Sequence, residues 1–407
     1  MHKNNWDISD NSIVNILTKR YDPTKKSPII KLKENDFKIK KILNPEKKIE
    51  DLLCTSIRQK ISNSKKIAIA LSGGIDSALI STLIRKEYPD LKIETISIKF
   101  PNSNDETENA EKISNVLNAN HHTVLIKNFL QEMPTAISLT KMPFWDIHWY
   151  YVFKKAKGLS NILITGEGGD ELFGGYTFRY EKFLSLIKSS SNPIDKIKIY
   201  LKCHERDWVR DQKIIFGKQI NFSWKKIYDD LLPFFDNKLS SLEQVFLADY
   251  NGKLLYNSVF LNSHFKNYFK MDYHTPFLNK NIISLAPHLD SNLKFDIKKK
   301  KGKVILRNIL SKYETNKFIS QTKNGFSMNT IEVWNSNGAE LCDYYLSNAR
   351  IVEDGFINKK WIQKHYTKTK NTPNVRYVNK FLGLLAFEIW YRIFITKEMN
   401  PETKLSV

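Results

Sequence analysis

Cysteine is scarce in this sequence of 407 residues. The three cysteines are scattered along the chain: Cys54, Cys203 and Cys342. Because their number is odd and they lie far apart, they provide neither a disulfide framework nor the ligand spacing of a zinc site.

The sequence also lacks an apolar run long enough to cross a membrane. Its longest apolar segment, residues 381–395, is interrupted by Glu388 and Arg392, and we predict that it forms a buried helix. The first residues are polar and do not follow the pattern of a secretory signal peptide. With 41% hydrophobic and 26% charged residues, the composition is that of a globular protein. We therefore expect a cytoplasmic protein that does not contact the membrane.

Acidic residues are too few to balance the basic ones: 43 Asp and Glu stand against 64 Lys and Arg, which gives a net charge of +21. A strongly basic protein can bind nucleic acid. The lysines are spread along the chain, however, with residues 298–301 as the only dense run, and they form no basic and aromatic stripe. We interpret the charge as solvated surface and predict that nucleic acid is not a substrate.

Glycine is infrequent, yet seven of the 15 glycines lie in two short segments. The first segment, residues 66–77, reads KIAIALSGGIDS. Its apolar run, residues 67–71, predicts a strand buried on both faces, and the apolar spacing from Ile75 onward predicts a helix. A strand, a glycine turn and a helix start direct unpaired backbone N–H groups at one concavity. This segment therefore predicts an anion site.

The residues of the turn indicate which anion it binds. Gly73 and Gly74 allow the backbone to approach a phosphate, and Ser72 and Ser77 add hydroxyl donors. Asp76 would repel a phosphate unless a divalent cation lay between them, so we predict that Asp76 binds Mg²⁺. The Gly-Lys-Ser/Thr ending of the common nucleoside-triphosphatase loop is missing, which argues against cleavage of the γ-phosphate. The alternative is an ordinary strand-to-helix turn.

The second segment, residues 165–176, reads TGEGGDELFGGY and follows a predicted strand. Glu167, Asp170 and Glu171 place three carboxylates within five residues, where they would repel one another unless a cation neutralised them. We predict that Glu167 and Asp170 hold Mg²⁺, orient basic groups, or do both. An acidic surface loop is the alternative interpretation.

Strands and helices alternate through the first half of the chain. We predict further strands at residues 93–98, 123–126 and 161–165, and helices at residues 49–61, from 105 onward and at 149–157. This order predicts an α/β fold with a doubly wound parallel sheet and ligands at the carboxyl ends of the strands. We assign residues 1–50 to an N-terminal extension that could dock a partner. The rest of the chain, residues 51–407, would form the main domain and would divide into a nucleotide-binding core, residues 51–180, and a largely helical substrate-side part, residues 181–407.

Three segments in this order resemble the synthetase domain of asparagine synthetases and their relatives, which include β-lactam synthetases and lasso-peptide cyclases. The segments are SGGIDS, DETENAEKISNVLNANHH and ITGEGGDELFGGY. The first also resembles the loop of ATP-pyrophosphatase enzymes, which hold the β,γ-pyrophosphate while AMP goes to a substrate. The resemblance, which extends from about residue 50 to at least Trp334, implies that ATP adenylates a carboxylate. A nitrogen nucleophile then displaces AMP and forms an amide.

The resemblance also implies roles for individual residues. Leu71 and Ile98 would flank the adenine, and Thr165 and Gly166 would contact the nucleoside. The residues implied to hold the pyrophosphate and its metal are Ser72, Gly73, Gly74, Asp76 and Ser77. Asp170 would be the second metal ligand and would line, with Glu167, the site between nucleotide and acceptor.

Two later segments extend the resemblance. Residues 303–307, KVILR, resemble the K-x-x-L-R segment of the family. Residues 321–326, QTKNGF, resemble a loop whose lysine, here Lys323, stabilises the transition state of adenylation. A flexible point charge suits the charge that develops on phosphorus.

Two departures limit what the resemblance implies. His2 stands where glutamine-hydrolysing members have their catalytic cysteine, so we expect no glutaminase domain here. In the acceptor region the family pattern D-R-x-S-M-A-x-x-x-E-x-R-x-P-F-L-D becomes SHFKNYFKMDYHTPFLN at residues 263–279. Pro276-Phe277-Leu278 persists and Asp272 remains acidic. An altered set of internal bridges and a changed acceptor are both open interpretations.

We therefore expect an AMP-forming amide ligase that uses ATP and Mg²⁺, with aspartate as the default carboxylate. Its nitrogen would come from ammonia, from a substrate amine or from a separate glutaminase chain. The alternatives are the same chemistry on a peptide, lactam or sugar acceptor, a tRNA-modifying pyrophosphatase, and a noncatalytic nucleotide-sensing subunit.

Overall fold

The computed structural model describes residues 9–101, 107–319 and 329–406. Its centre is a sheet of five parallel strands in the order β3-β2-β1-β4-β5. The strands are β1 (Lys66–Ala70), β2 (Lys92–Lys99), β3 (Asn120–Leu125), β4 (Ile162–Ile164) and β5 (Asp272–His274). A separate antiparallel pair joins β6 (Phe295–Asp296) to β7 (Lys301–Gly302).

Helices cover the sheet and form most of the second half of the chain. Those up to residue 203 are α1 (Asp10–Lys19), α2 (Pro45–Ile61), α3 (Ile75–Glu87), α4 (Thr107–Val116), α5 (Met133–Thr140), α6 (His148–Lys157), α7 (Gly169–Phe173), α8 (Thr177–Leu186) and α9 (Pro193–Cys203). Those that follow are α10 (Gln212–Ile215), α11 (Trp224–Phe235), α12 (Ser241–Asp249), α13 (Val259–Tyr268), α14 (Lys280–Leu285), α15 (Val304–Leu310), α16 (Thr330–Val333), α17 (Ala339–Ser347), α18 (Arg350–Glu353), α19 (Lys359–Asn371) and α20 (Val375–Phe394). A π-helical segment, Tyr250–Ser258, joins α12 to α13.

The sheet confirms the predicted doubly wound α/β fold. In β1, Ile67 to Ala70 are buried because neighbouring strands lie on both sides and helices cover both faces. β2 and β3 lie on one side of β1, whereas β4 and β5 lie on the other. The strand order therefore reverses between β1 and β4. In such sheets this reversal opens a crevice at the carboxyl ends of the strands, where ligands bind.

Strand β5 was not predicted from the sequence. It has only three residues, Asp-Tyr-His, all partly buried, so it shows neither an apolar run nor a clear alternation. It pairs with β4 and brings a segment more than 100 residues away to the same edge of the sheet.

The amino-terminal residues pack into the chain. Every residue of α1 from Ser12 to Lys19 is buried, and Lys19 forms an ion pair of 2.7 Å with Asp230 of α11. Arg20 forms a second ion pair, of 2.6 Å, with Asp146. This face of α1 is therefore occupied within the chain, and the docking of a partner by residues 1–50 stays a prediction. The domain boundary at residue 50 stays a prediction.

The apolar segment near the carboxyl terminus forms the buried helix that we predicted. Glu388 of α20 is fully buried and accepts hydrogen bonds from the backbone N–H groups of Arg350 (3.0 Å) and Ile351 (3.1 Å). Arg392 donates to the same carboxylate at 2.6 Å. Within the ranges that the structure describes, no helix is both long and apolar enough to span a bilayer.

Candidate functional site

The first glycine segment forms a tight turn between β1 and α3. Gly73 has a φ of 76°, a conformation that glycine adopts without strain. The Ser77 hydroxyl accepts a hydrogen bond from the backbone N–H of Ser72 (3.2 Å) and donates one to the carbonyl of Gly74 (3.2 Å). Gly74 precedes α3 and has no side chain to cap it, so the first N–H groups of the helix face outward. The turn therefore has the form of an anion site.

The two glycine segments lie directly against each other, across the crevice between β1 and β4. A Cβ atom at Gly166 would lie 2.8 Å from the backbone nitrogen of Ser77. A Cβ atom at Gly169 would lie 2.5 Å from the Oδ1 atom of Asp76. Glycine is required here because any side chain would push the two segments apart.

This contact leads to a prediction for Gly169→Ala. The added methyl group must displace the carboxylate of Asp76, so we expect the affinity for ATP to fall by about 10-fold. Equilibrium binding of a fluorescent ATP analogue would measure the change. Gly158→Ala is the matched control, because a Cβ atom there makes only an ordinary contact of 3.6 Å. Equal affinity in the two variants would contradict the prediction.

Lys303 lies between the two aspartates that we predicted as metal ligands. Its ammonium group contacts the Asp76 carboxylate and lies 2.5 Å from Oδ1 of Asp170. Its side chain is only 9% exposed. Burial disfavours the charge of Lys303, but the carboxylates of Asp170 and Asp76 outweigh burial and raise its pKa. The cluster Asp76–Lys303–Asp170 therefore carries one net negative charge.

The backbone holds Lys303 in this position. Its N–H group donates to the carbonyl of Phe173 (3.1 Å), and its φ of 55° turns the chain into α15. We noted its K-x-x-L-R segment in the sequence but assigned no role to the lysine. The motif was the available signal in the sequence. Only the folded structure shows that Lys303 lies between the two aspartates.

The two aspartates fit the ligand set that Mg²⁺ uses beside phosphates. Both carboxylates contact the same cation, the ammonium group of Lys303. Mg²⁺ is commonly bound by one or two carboxylates together with phosphate oxygens. Among the described residues, no group of three or more Asp, Glu, His or Cys side chains could form a metal site. Asp76 and Asp170 therefore offer two of the oxygen ligands that such an ion takes.

Glu167 forms a second cluster, on the β5 side of the crevice. Its carboxylate accepts hydrogen bonds from Tyr273 and from the side-chain amide of Asn262 (2.7 Å). Thr275 donates to its backbone carbonyl at 2.7 Å. Burial raises the pKa of Glu167 to about 7, although both side-chain hydrogen bonds act in the opposite direction. The group can therefore take up and release a proton near neutral pH.

Sequence reasoning missed Tyr273 and Asn262 as members of this cluster. Tyr273 lies in β5, which was not predicted, and Asn262 immediately precedes the acceptor segment that we compared with the family pattern. Because successive residues of a strand point to opposite sides, Tyr273 faces Glu167 while its neighbours face α2.

The altered residues of the acceptor segment have internal partners. Asp272 forms an ion pair with Lys60, and His274 forms a hydrogen bond of 3.0 Å with Ser56, so both contact α2. The Ser263 hydroxyl donates to the carbonyl of Phe260 (2.6 Å), and Asn279 caps α14 through the N–H of Asn281 (3.0 Å). These residues therefore take part in internal contacts, whereas a change of acceptor stays a prediction.

The remaining predicted residues lie around the same crevice, with one exception. Leu71 and Thr165 are buried at the ends of β1 and β4, and Ile98 is buried near the end of β2. Their contacts with a nucleoside stay predictions. Lys323 lies outside the described residues, so its role also stays a prediction.

Known proteins resemble most of the chain. The asparagine synthase family profile matches residues 48–392. Asparagine synthetase [glutamine-hydrolyzing] 1 of Bacillus subtilis is 24% identical over 394 residues, which cover 88% of this chain and 60% of that protein. The NH(3)-dependent NAD(+) synthetase of Carboxydothermus hydrogenoformans is 34% identical over 97 residues, which cover 23% of this chain and 39% of that protein.

Parts of the chain also resemble solved structures. NMN synthetase from Francisella tularensis is 16% identical, with a TM-score of 0.28 and coverage of 51% of this chain and 92% of that chain. NH3-dependent NAD synthetase from Campylobacter jejuni is 20% identical, with a TM-score of 0.26 and coverage of 55% and 95%. The profile match spans most of the sequence, including both glycine segments and Lys303, and the chain therefore belongs to the asparagine synthase family.

Proposed function

We propose that this chain is an ATP-dependent, AMP-forming ligase that adenylates a carboxylate and transfers the acyl group to ammonia or an amine. The observation that carries the proposal is the Asp76–Lys303–Asp170 cluster, which joins both glycine segments and the start of α15 at the point where the strand order reverses. The buried ammonium group of Lys303 lies between two carboxylates and beside the N-terminus of α3. This arrangement suits the binding of a polyphosphate and its counter-ion.

The turn between β1 and α3 would hold the β- and γ-phosphates through its N–H groups and the hydroxyls of Ser72 and Ser77. The substrate carboxylate would then attack the α-phosphorus, and the bond to the bridging oxygen of pyrophosphate would break. Lys303 would stabilise the negative charge of the departing pyrophosphate. Mg²⁺, held by Asp76 and Asp170, would neutralise phosphate charge when bound. Lys323 would act on the transition state from its own loop.

Glu167 would act in the second half of the reaction. As the nitrogen attacks the acyl carbon, it must lose a proton before AMP leaves with the electrons of the acyl–oxygen bond. The Glu167 carboxylate can accept that proton, and Asn262 and Tyr273 orient it. The same cluster suits ammonia or a substrate amine, and aspartate remains the default carboxylate.

The products of Mg-ATP turnover test the proposal. The purified chain should release AMP and pyrophosphate when a carboxylate and ammonia are both supplied, and carboxylate-dependent exchange of labelled pyrophosphate into ATP should occur without ammonia. Release of ADP and phosphate under these conditions would contradict the proposal. Parallel reactions with glutamine and with ammonia would identify the nitrogen source.

A further inference from the structure

Arg307 is the last residue of the K-x-x-L-R segment, and the proposed function gives it no role. It lies one turn after Lys303 in α15. Its backbone N–H donates to the carbonyl of Lys303 at 2.9 Å. Arg307 is therefore close to the residue that joins Asp76 to Asp170.

The side chain of Arg307 is held at the same place by its inner nitrogen. The Nε atom donates to the carbonyl of Gly302 at 3.0 Å, and Gly302 directly precedes Lys303. Gly302 packs on the second glycine segment, since a Cβ atom there would lie 2.3 Å from the carbonyl oxygen of Gly174. The guanidinium group is therefore anchored beside the segment that carries Asp170.

The two outer nitrogens of Arg307, Nη1 and Nη2, have no such anchor. No group in the part of the chain that the structure describes accepts a hydrogen bond from either atom. Arg85 gives the contrast, because its guanidinium group donates to five backbone carbonyls. Both side chains are partly buried, and burial lowers the pKa of both. The outer nitrogens of Arg307 can therefore donate to a ligand.

The charge of Arg307 also suits an anion at this place. A partly buried guanidinium group without a partner costs free energy, which a bound anion can offset. The Asp76 carboxylate opposes the effect of burial on the pKa of Arg307, but it already contacts the ammonium group of Lys303. With Arg307 included, two cations balance the carboxylates of Asp76 and Asp170. The net negative charge that would repel a polyphosphate is then removed.

The shape of the guanidinium group indicates the chemistry of the ligand. Its planar pair of outer nitrogens matches two oxygens of a phosphate or of a carboxylate. A phosphate is favoured here because Asp76 lies in the first turn of α3, beside the turn that would hold the β- and γ-phosphates. Lys303, the neighbour of Arg307, is the group that would contact the departing pyrophosphate.

We propose that Arg307 binds the pyrophosphate part of ATP, and afterwards the pyrophosphate product, through Nη1 and Nη2 while Nε stays bonded to Gly302. The inference rests on the proposed ligase function and adds a phosphate-binding residue to its site.

Calorimetric binding of magnesium pyrophosphate and of AMP to the full chain tests this role without catalysis. Arg307→Gln is the informative variant. The side-chain nitrogen of glutamine is bonded to Cδ, as the arginine Nε is, so it can keep the hydrogen bond to Gly302. The variant should raise the dissociation constant for pyrophosphate by about 10- to 100-fold, because a bidentate charge-assisted contact is lost. The dissociation constant for AMP should stay unchanged.

Exchange of labelled pyrophosphate into ATP gives a second readout. Arg307→Gln should raise the KM for pyrophosphate by the same factor and leave the KM for the carboxylate unchanged. Arg58→Gln is the matched control, since Arg58 pairs with Glu87 at the far end of α3 and its side chain is 51% exposed. This control should bind pyrophosphate and AMP as the wild type does.

The outcomes separate the two proposals. Unchanged pyrophosphate binding by Arg307→Gln would overturn this role and leave the ligase function standing. Equal losses of affinity for pyrophosphate and AMP would indicate a structural effect and would also overturn it. A rise in the KM for the carboxylate alone would assign the guanidinium group to the carboxylate substrate instead. Release of ADP and phosphate by the wild type would overturn the ligase function itself, whatever the variant binds.

Discussion

Lys303→Met should reduce the rate of AMP formation by about 10³-fold. Methionine keeps much of the side-chain volume and removes the charge. Without that charge, the contacts of the ammonium group with Asp76 and Asp170 are lost, and its proposed contact with pyrophosphate is lost with them. Carboxylate-dependent AMP release, measured at saturating ATP, would give the rate.

The same substitution should lower the free energy of unfolding by about 3–5 kcal/mol, because removing one partner from a buried ion-pair cluster is strongly destabilising. A second variant separates this structural loss from the catalytic one. Adding Asp76→Asn removes one of the two opposing carboxylates, so the double variant should regain stability in urea unfolding and still fail to form AMP. Lys301→Met is the matched control, because Lys301 is exposed two residues away. Normal AMP release by Lys303→Met would refute the role of this lysine.

The first half of the fold could be predicted because its strands are apolar runs between turn residues. β1, β2 and β4 each lie within a few residues of their predicted positions, and both glycine segments follow strands as expected. The carboxyl ends of β1 and β4 are neighbours in the sheet, so their loops had to meet. Asp76 and Asp170 could therefore be placed in one site from the sequence.

The second half of the site could not be predicted because it depends on contacts between distant segments. Lys303 lies 227 positions after Asp76 in the chain, and its K-x-x-L-R segment does not indicate which residues the lysine contacts. Tyr273 lies in a three-residue strand whose composition gives no signal. The burial of α1 was missed for a related reason, since Lys19 at its end is buried beside a carboxylate from a distant segment, Asp230.

Amide formation should depend on pH through Glu167, whereas adenylation should not. The pKa of Glu167 is raised to about 7, so the carboxylate is protonated below that pH and cannot accept a proton from the attacking nitrogen. We expect amide formation to fall below about pH 7 while pyrophosphate exchange stays level. Glu167→Gln should lose amide formation by about 10²- to 10⁴-fold at every pH and retain exchange.

The titration of Glu167 can also be measured through folding stability, without an assay of catalysis. Between the ordinary pKa of 4.5 and about 7, folded Glu167 holds a proton that the unfolded chain has lost. This contribution is complete below pH 4.5 and is lost as the pH rises through about 7. Urea unfolding of the wild type should therefore show stability that declines across this window relative to Glu167→Gln, which has no titrating group there.

Tyr273→Phe distinguishes this origin of the pH dependence from titration of the nitrogen substrate. The hydrogen bond from Tyr273 favours the ionised form of Glu167, so its removal should raise the pKa of Glu167 further. The decline in amide formation should then begin at a higher pH than in the wild type, with ammonia at the same concentration in both. Because the nucleophile titrates identically in the two proteins, a profile that does not move would show that Glu167 is not the proton acceptor.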